Sequence, residues 1–144
     1  MSTVRQVCLG LLLLLTAQLA IAQAPQRKLC PLFTAAEIQK LLGTAVEAGE
    51  PAAMGTGCQW FGKDEKSYVI IQVAGITNWL DPRQAPGYEA VQGVGKQAYS
   101  HPDQEGGWRA MALTNDAVAV VVLIGGTAKR TGAVTLLRQL VARL

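Results

Sequence analysis

Two cysteines, Cys30 and Cys58, follow an amino terminus of leader type, and this pairing constrains the fold more than any other feature of the chain. Arg5 supplies a positive start. An apolar run extends from Val7 to Ile21, broken only at Gly10, Thr16 and Gln18, and Ala20-Ile21-Ala22 places small residues where signal peptidase cuts. That order predicts a secretory signal over 1–22. A spanning helix needs about 20 largely apolar residues. This run is shorter and interrupted near its middle, so a retained anchor is the weaker reading. Gln23 follows the cut and Cys8 lies inside the apolar run, so no lipid-accepting cysteine stands at the cleavage point. Cleavage removes Cys8 and leaves an even pair, which in an exported chain reads as one disulfide. Closing a loop over a separation of 28 residues restricts the unfolded chain by ~3–3.5 kcal/mol. The spacing is not the C-x-x-C of redox sites.

A chain of 144 residues allows one domain. Half of its residues are hydrophobic, which excludes disorder, since ordinary globular usage is about 45–50%. The formal charge is +3, one unit of it on Arg5 in the leader. The remaining cations are scattered, among them Arg27-Lys28, Lys63, Lys66, Arg83, Lys129-Arg130, Arg138 and Arg143. No basic stripe interleaved with aromatics is present, so nucleic acid lacks its electrostatic footprint. The expected layout is a signal peptide over 1–22, a flexible lead-in over 23–29 and a single α+β domain over 30–144.

Within that domain Thr34 and Glu37 form a capping box. Phe33 is placed to staple onto Ile38, and Ile38, Leu41 and Leu42 make a buried stripe that Gly43 ends. Residues 45–48 read as a short edge strand and 49–57 as a loop. Strands are expected over 58–61 and 67–76, the second with Val69, Ile71 and Val73 on one face and Tyr68, Ile70, Gln72 and Ala74 on the other. An irregular segment over 77–87 follows. Next come a Gly93-Val94-Gly95 turn entering a short strand, a polar turn over 101–107, a strand over 108–114 and a strand over 117–124 that is apolar on both faces. A last helix over 133–144 buries Ala133, Leu136, Leu137, Leu140, Val141 and Leu144, with Arg138 and Arg143 toward water. The order predicts an antiparallel sheet of five or six strands packed by an N-terminal and a C-terminal helix.

No residue set carries catalysis. His101, the single histidine, falls in a turn of solvated composition. It points away from Ser100 in an extended segment, and Ser67 has no base near it. Cys30, Cys58 and His101 lack metal-ligand spacing, and oxidation consumes both thiols. Gly95-Lys96 lacks the flanking residues of a phosphate loop. Asp64-Glu65 and Asp103/Glu105 read as solvated turn tips. No metal and no cofactor are expected. The remaining candidate is a partner surface on the irregular segment, formed by Trp79, Arg83 and Tyr88 with Leu80 beside them, since Trp, Tyr and Arg are enriched in binding hot spots. The competing reading folds Trp79 and Leu80 under the loop to seal the sheet.

These motifs together resemble a family of small exported bacterial domains of unknown function. They are the cysteine before a capped helix (Cys30 to Gly43), the Cys-x-Trp strand (Cys58-Gln59-Trp60), the Gly-Val-Gly-x-x-Ala turn (Gly93 to Ala98) and the C-terminal helix. The resemblance implies a fold similar to the PsbP/Mog-type α/β/α sandwich, with helix added on a second face by the irregular segment. It transfers no catalytic residues, and the membrane tether of lipoprotein relatives does not carry over. The resulting expectation is a periplasmic or secreted binding or accessory protein without catalysis, whose partner is an unknown protein or small ligand of the cell envelope. One alternative is an inhibitor or immunity protein against a secreted toxin or hydrolase. The other is a hydrolase whose acids converge only in three dimensions.

Overall fold

The computed structural model describes residues 28–144; the expected signal peptide and most of the lead-in lie outside them. The first long element, α1 (Ala35–Leu42), carries both halves of its capping box. The Thr34 hydroxyl accepts from the Glu37 amide at 3.3 Å, and Glu37 accepts from the Thr34 amide at 2.7 Å. Gly43 ends the helix in the left-handed conformation. Leu29, assigned by the sequence to the lead-in, is buried in the core. Packing therefore begins just before the Cys30–Cys58 disulfide, whose sulfurs are 2.02 Å apart.

Seven strands form one antiparallel sheet, which is more than the five or six expected. They are β1 (Glu50–Ala52), β2 (Gly57–Phe61), β3 (Tyr68–Gly75), β4 (Glu89–Ala90), β5 (Gln97–Asp103), β6 (Gly107–Leu113) and β7 (Ala117–Ile124). Their spatial order is β1-β2-β3-β7-β6-β5-β4. The chain builds three strands, crosses to the opposite edge through residues 76–88, and returns strand by strand until β7 closes against β3. The two rim strands escaped the sequence reading because two or three residues cannot display an alternation. The edge strand expected at 45–48 is reduced to a single bridge between Val46 and Gly62. The true edge lies at Glu50–Ala52, within the expected loop, where Pro51 is tolerated because an edge position need not donate to a neighbour.

Alternation assigns the faces. Cys58, Trp60, Val69, Ile71, Ala110, Ala112, Ala119, Val121 and Leu123 point to one side, where Ile38 and Leu42 of α1 and Ala133, Leu136, Leu137 and Leu140 of α2 (Arg130–Arg143) complete the core. Helix α2 begins three residues before its expected start. Gly132 is a poor helix former, yet a side chain there would approach the Leu123 methyl at 3.1 Å, and its absence lets the first turn close on the sheet. Among the described residues the second face receives no α-helix. The crossover supplies its cover, with only two 3-10 turns (Ile76–Asn78 and Pro82–Gln84), in place of the helical layer implied by the resemblance.

Arg143 was expected to face water. It is exposed, and its guanidinium also lies 4.3 Å over the Phe33 ring, donates to Glu37 at 2.8 Å and donates to the Leu32 carbonyl. Helical periodicity cannot reveal that the end of one helix lies on the start of another. The Thr34 amide first, and Arg143 with it, hold the Glu37 carboxyl down at about 2 against an ordinary 4.5. The unfolded chain therefore binds more protons than the native state in this range. The stabilisation is fully present above pH 4.5 and is lost as pH falls through 2. Glu37→Gln is expected to lower the urea midpoint at pH 6 and to converge on the wild type near pH 2. A constant offset across that range would contradict the assignment.

Candidate binding surface

None of the sequence-proposed reactive groups is brought into a catalytic arrangement. His101 sits in β5 and not in a turn. Beyond Ser100 the outer edge of β5 has no partner strand, so Pro102 fits without leaving a strand hydrogen bond unmade, and the strand runs on to Asp103. The His101 ring stacks on Tyr99 with centroids 5.9 Å apart, and its Nδ1 lies 2.8 Å from the Pro102 carbonyl oxygen. Ser100 is buried on the opposite face, where it accepts from Arg130 Nε at 2.9 Å. The Ser67 hydroxyl donates to Asp64 at 2.6 Å, which lowers the Asp64 pKa and closes a turn.

Glu105 is exposed in the 104–106 turn, as expected, but Asp103 ends β5 and is no solvated tip. Asp103 pairs with Arg109 at 3.1 Å, and Glu105 accepts the Tyr68 hydroxyl at 2.5 Å. Burial, then this carboxylate, pushes the Tyr68 hydroxyl up to about 12. These contacts join β3, β5, β6 and the 104–106 turn, and no local pattern signals them. Among the described residues, no three His, Cys, Asp or Glu side chains are grouped to hold a metal ion.

The crossover divides the proposed partner residues between two roles. Trp79 is half-buried and meets Tyr99 edge-on, with centroids 5.4 Å apart, in a small cluster with Met111 and Val118. It anchors the segment to the second face. Leu80 and Tyr88 are 54% and 44% exposed, so they are displayed while Trp79 is spent on the fold. Arg83 is exposed, but Asp81 takes its guanidinium at 2.5 Å and also accepts its backbone amide at 3.0 Å. That clamp holds the Asp81 carboxyl at about 2. It caps the Pro82–Gln84 turn and neutralises much of the charge that Arg83 could offer to a partner.

Beneath Tyr88 lies a cleft of about 260 Å³, walled by Pro82, Val91 and Tyr99 and bordered by Gln92, Lys96 and the Gly95 turn. Gly95 (φ 56°) lets that turn press against the sheet, since a Cβ there would lie 2.4 Å from the Leu113 carbonyl oxygen. Gln92 carries no sequence signal and Lys96 enters the sequence reading only through the failed phosphate-loop pattern, because only the fold brings the 92–96 turn beside the crossover.

No protein-family description, curated protein or solved structure matches this chain. The geometry of the crossover, its anchor and its cleft is therefore what a functional reading must rest on. One further display lies far from it in sequence. Met54 is 97% exposed at the β1–β2 tip, where Ala53 and Met54 both adopt left-handed backbone (φ 50° and 53°). The Thr56 amide and hydroxyl both donate to the Ala53 carbonyl and hold the tip in shape.

Proposed function

We propose that this protein is an exported, non-catalytic binding module of the cell envelope that meets a protein or small ligand through the crossover, with Leu80 and Tyr88 as the contact residues. The carrying observation is their exposure on a segment already pinned by Trp79 and by the Asp81–Arg83 clamp. A preformed surface loses little ordering entropy on association. The disulfide supports an oxidising compartment. No helix among the described residues is long and apolar enough to cross a membrane.

Photo-crosslinking amino acids placed singly at positions 80, 88 and 104 test the proposal in cells. Positions 80 and 88 are expected to capture the same discrete partner, while 104, on the β5–β6 turn, captures none. Identical products from all three positions, or none from 80 and 88, would refute this surface.

A second reading, an inhibitor or immunity protein, is favoured by Met54. Holding a non-glycine residue in left-handed backbone costs roughly 1–2 kcal/mol, and the strain here presents an apolar side chain wholly to solvent. Such a tip suits insertion into the mouth of a secreted toxin or hydrolase. The protein is then expected to inhibit at least one purified envelope hydrolase and to lose that inhibition on Met54→Asp. A panel left fully active would remove this reading.

A further inference from the structure

The edge of the sheet at β4 runs beside α2, and a groove of about 400 Å³ lies between them. Val91 turns inward, its amide donating to the Ala98 carbonyl at 2.8 Å. Ala90 therefore turns its amide and carbonyl outward, since both groups of one strand residue face the same edge. The Ala90 carbonyl accepts from Arg130 at 3.5 Å, and the Gln92 carbonyl accepts from Arg138 at 3.3 Å. Residues 90 to 92 and 130 to 138 thus run alongside each other in the same direction. The Ala90 amide has no partner among the described residues.

The groove is charged in one sense only. Arg130 and Arg138 line it, and no acid does. Glu89 pairs with Arg130 from the strand end at 3.0 Å. Arg138 makes only the bond to Gln92 among the described residues, so most of its five N–H donors stay free. Val134, nearly buried, lies between the two arginines on the same helical face.

Spacing selects the occupant. Arg130 and Arg138 are eight residues apart on a helix, about 12 Å at 1.5 Å per residue. In an extended chain, side chains four residues apart lie about 13 Å apart on one face. We propose that this groove takes an extended acidic peptide as an added strand on the β4 edge, with two acidic side chains four residues apart on Arg130 and Arg138 and a small apolar one between them over Val134. The backbone bond comes from the Ala90 amide, the Ala90 and Gln92 carbonyls keep their bonds to Arg130 and Arg138, each arginine turns a further N–H to an acid, and these charges set the register. The inference rests on the binding-module reading and names the partner's chemistry at a second surface of the module.

The probe is the acetylated heptapeptide Thr-Glu-Thr-Val-Thr-Glu-Thr, titrated against the oxidised protein with amide NMR and fluorescence anisotropy as readouts. Saturable binding is expected, with the Ala90 amide among the largest shifts. Binding is expected to weaken about tenfold in Arg138→Gln and to disappear for the peptide with lysine in place of glutamate. Ala90→Pro removes the outward amide and leaves the inward bonds of β4 in place. It is expected to weaken binding about tenfold with little change in thermal midpoint. Dextran sulfate distinguishes a mere basic patch. If it displaces the peptide while the Ala90 amide stays unmoved, or if the lysine peptide binds equally well, strand addition is overturned. Absence of saturable binding overturns it too. Should Ala90→Pro unfold, the Ala90 shift in the wild-type titration decides. Crosslinks at positions 80 and 88 report on the crossover alone, so this proposal and the binding-module reading can fail separately.

Discussion

Replacing Cys30 and Cys58 together by alanine is expected to remove about 3.5 kcal/mol of stability. For a domain of this size that corresponds to a fall of roughly 10–20 °C in Tm. The bridge ties the turn before α1 to β2, whose Cys58 is fully buried on the helix-packed face. Without it, the contacts that hold the segment before α1 among the described residues are those of Leu29, Leu32, Phe33 and Arg143. Paired urea and thermal melts of the oxidised wild type and the double variant measure the effect. A loss below about 1 kcal/mol would mean that the unfolded chain is already restricted in this region.

Trp60→Ala is expected to cost about 3–5 kcal/mol. The indole is 1% exposed, meets Phe33 edge-on with centroids 6.4 Å apart, and is roofed by Gly49, where even a Cβ would lie 2.5 Å from Nε1. No neighbour can collapse far into the space an alanine leaves, because the disulfide and the strand pairing fix both sides. Net stability of a domain is only about 5–15 kcal/mol, so this variant is expected to be partly unfolded at 37 °C. Denaturant midpoints check the size of the loss. Trp60→Phe should recover much of it by restoring aromatic contact with Phe33. Because Cys58 and Trp60 share a face of β2, the loss in the combined variant should fall short of the sum of the separate losses.

What could be read before folding was whatever the chain states locally. The capping box at Thr34 and Glu37, the stop at Gly43 and the cysteine pair each occupy a few residues, and each stands as expected. The alternation of β3 correctly parted Val69 and Ile71 from Tyr68 and Ile70, and the fold turns the first pair to the helices. The double-sided apolar run of β7 correctly marked a central strand. Failures came where a position depends on distant chain. Pro102 and the polar residues around it imitate a turn, and only the brevity of β4 shows why a strand survives there. Trp79 and Tyr88 look equivalent in sequence, but Tyr99 and Met111 arrive from later strands to claim one and leave the other exposed. Arg130 reads as one of several scattered charges ahead of the helix, and Arg138 is exposed as expected, but no local pattern shows that the crossover lays residues 90–92 beside both.

The structure divides into a stapled core and a display. One sheet face, both helices and the disulfide hold the core. The crossover, the β4 edge and the Met54 tip carry exposed groups whose backbone is fixed by local contacts. Binding by such surfaces does not require the core to move, so variants at Leu80 and Tyr88 should alter partner capture while leaving the melting curve in place. Surface changes away from special features usually shift stability by less than about 0.5 kcal/mol.

Intact-mass determination on protein recovered from its native host, with and without thiol alkylation before reduction, bears most directly on the claim that the chain is exported and stapled. The expected species begins at Gln23, takes up no alkylating reagent and gains two hydrogens on reduction. A species that retains residues 1–22, or one whose Cys30 and Cys58 are both alkylated without reduction, would contradict it.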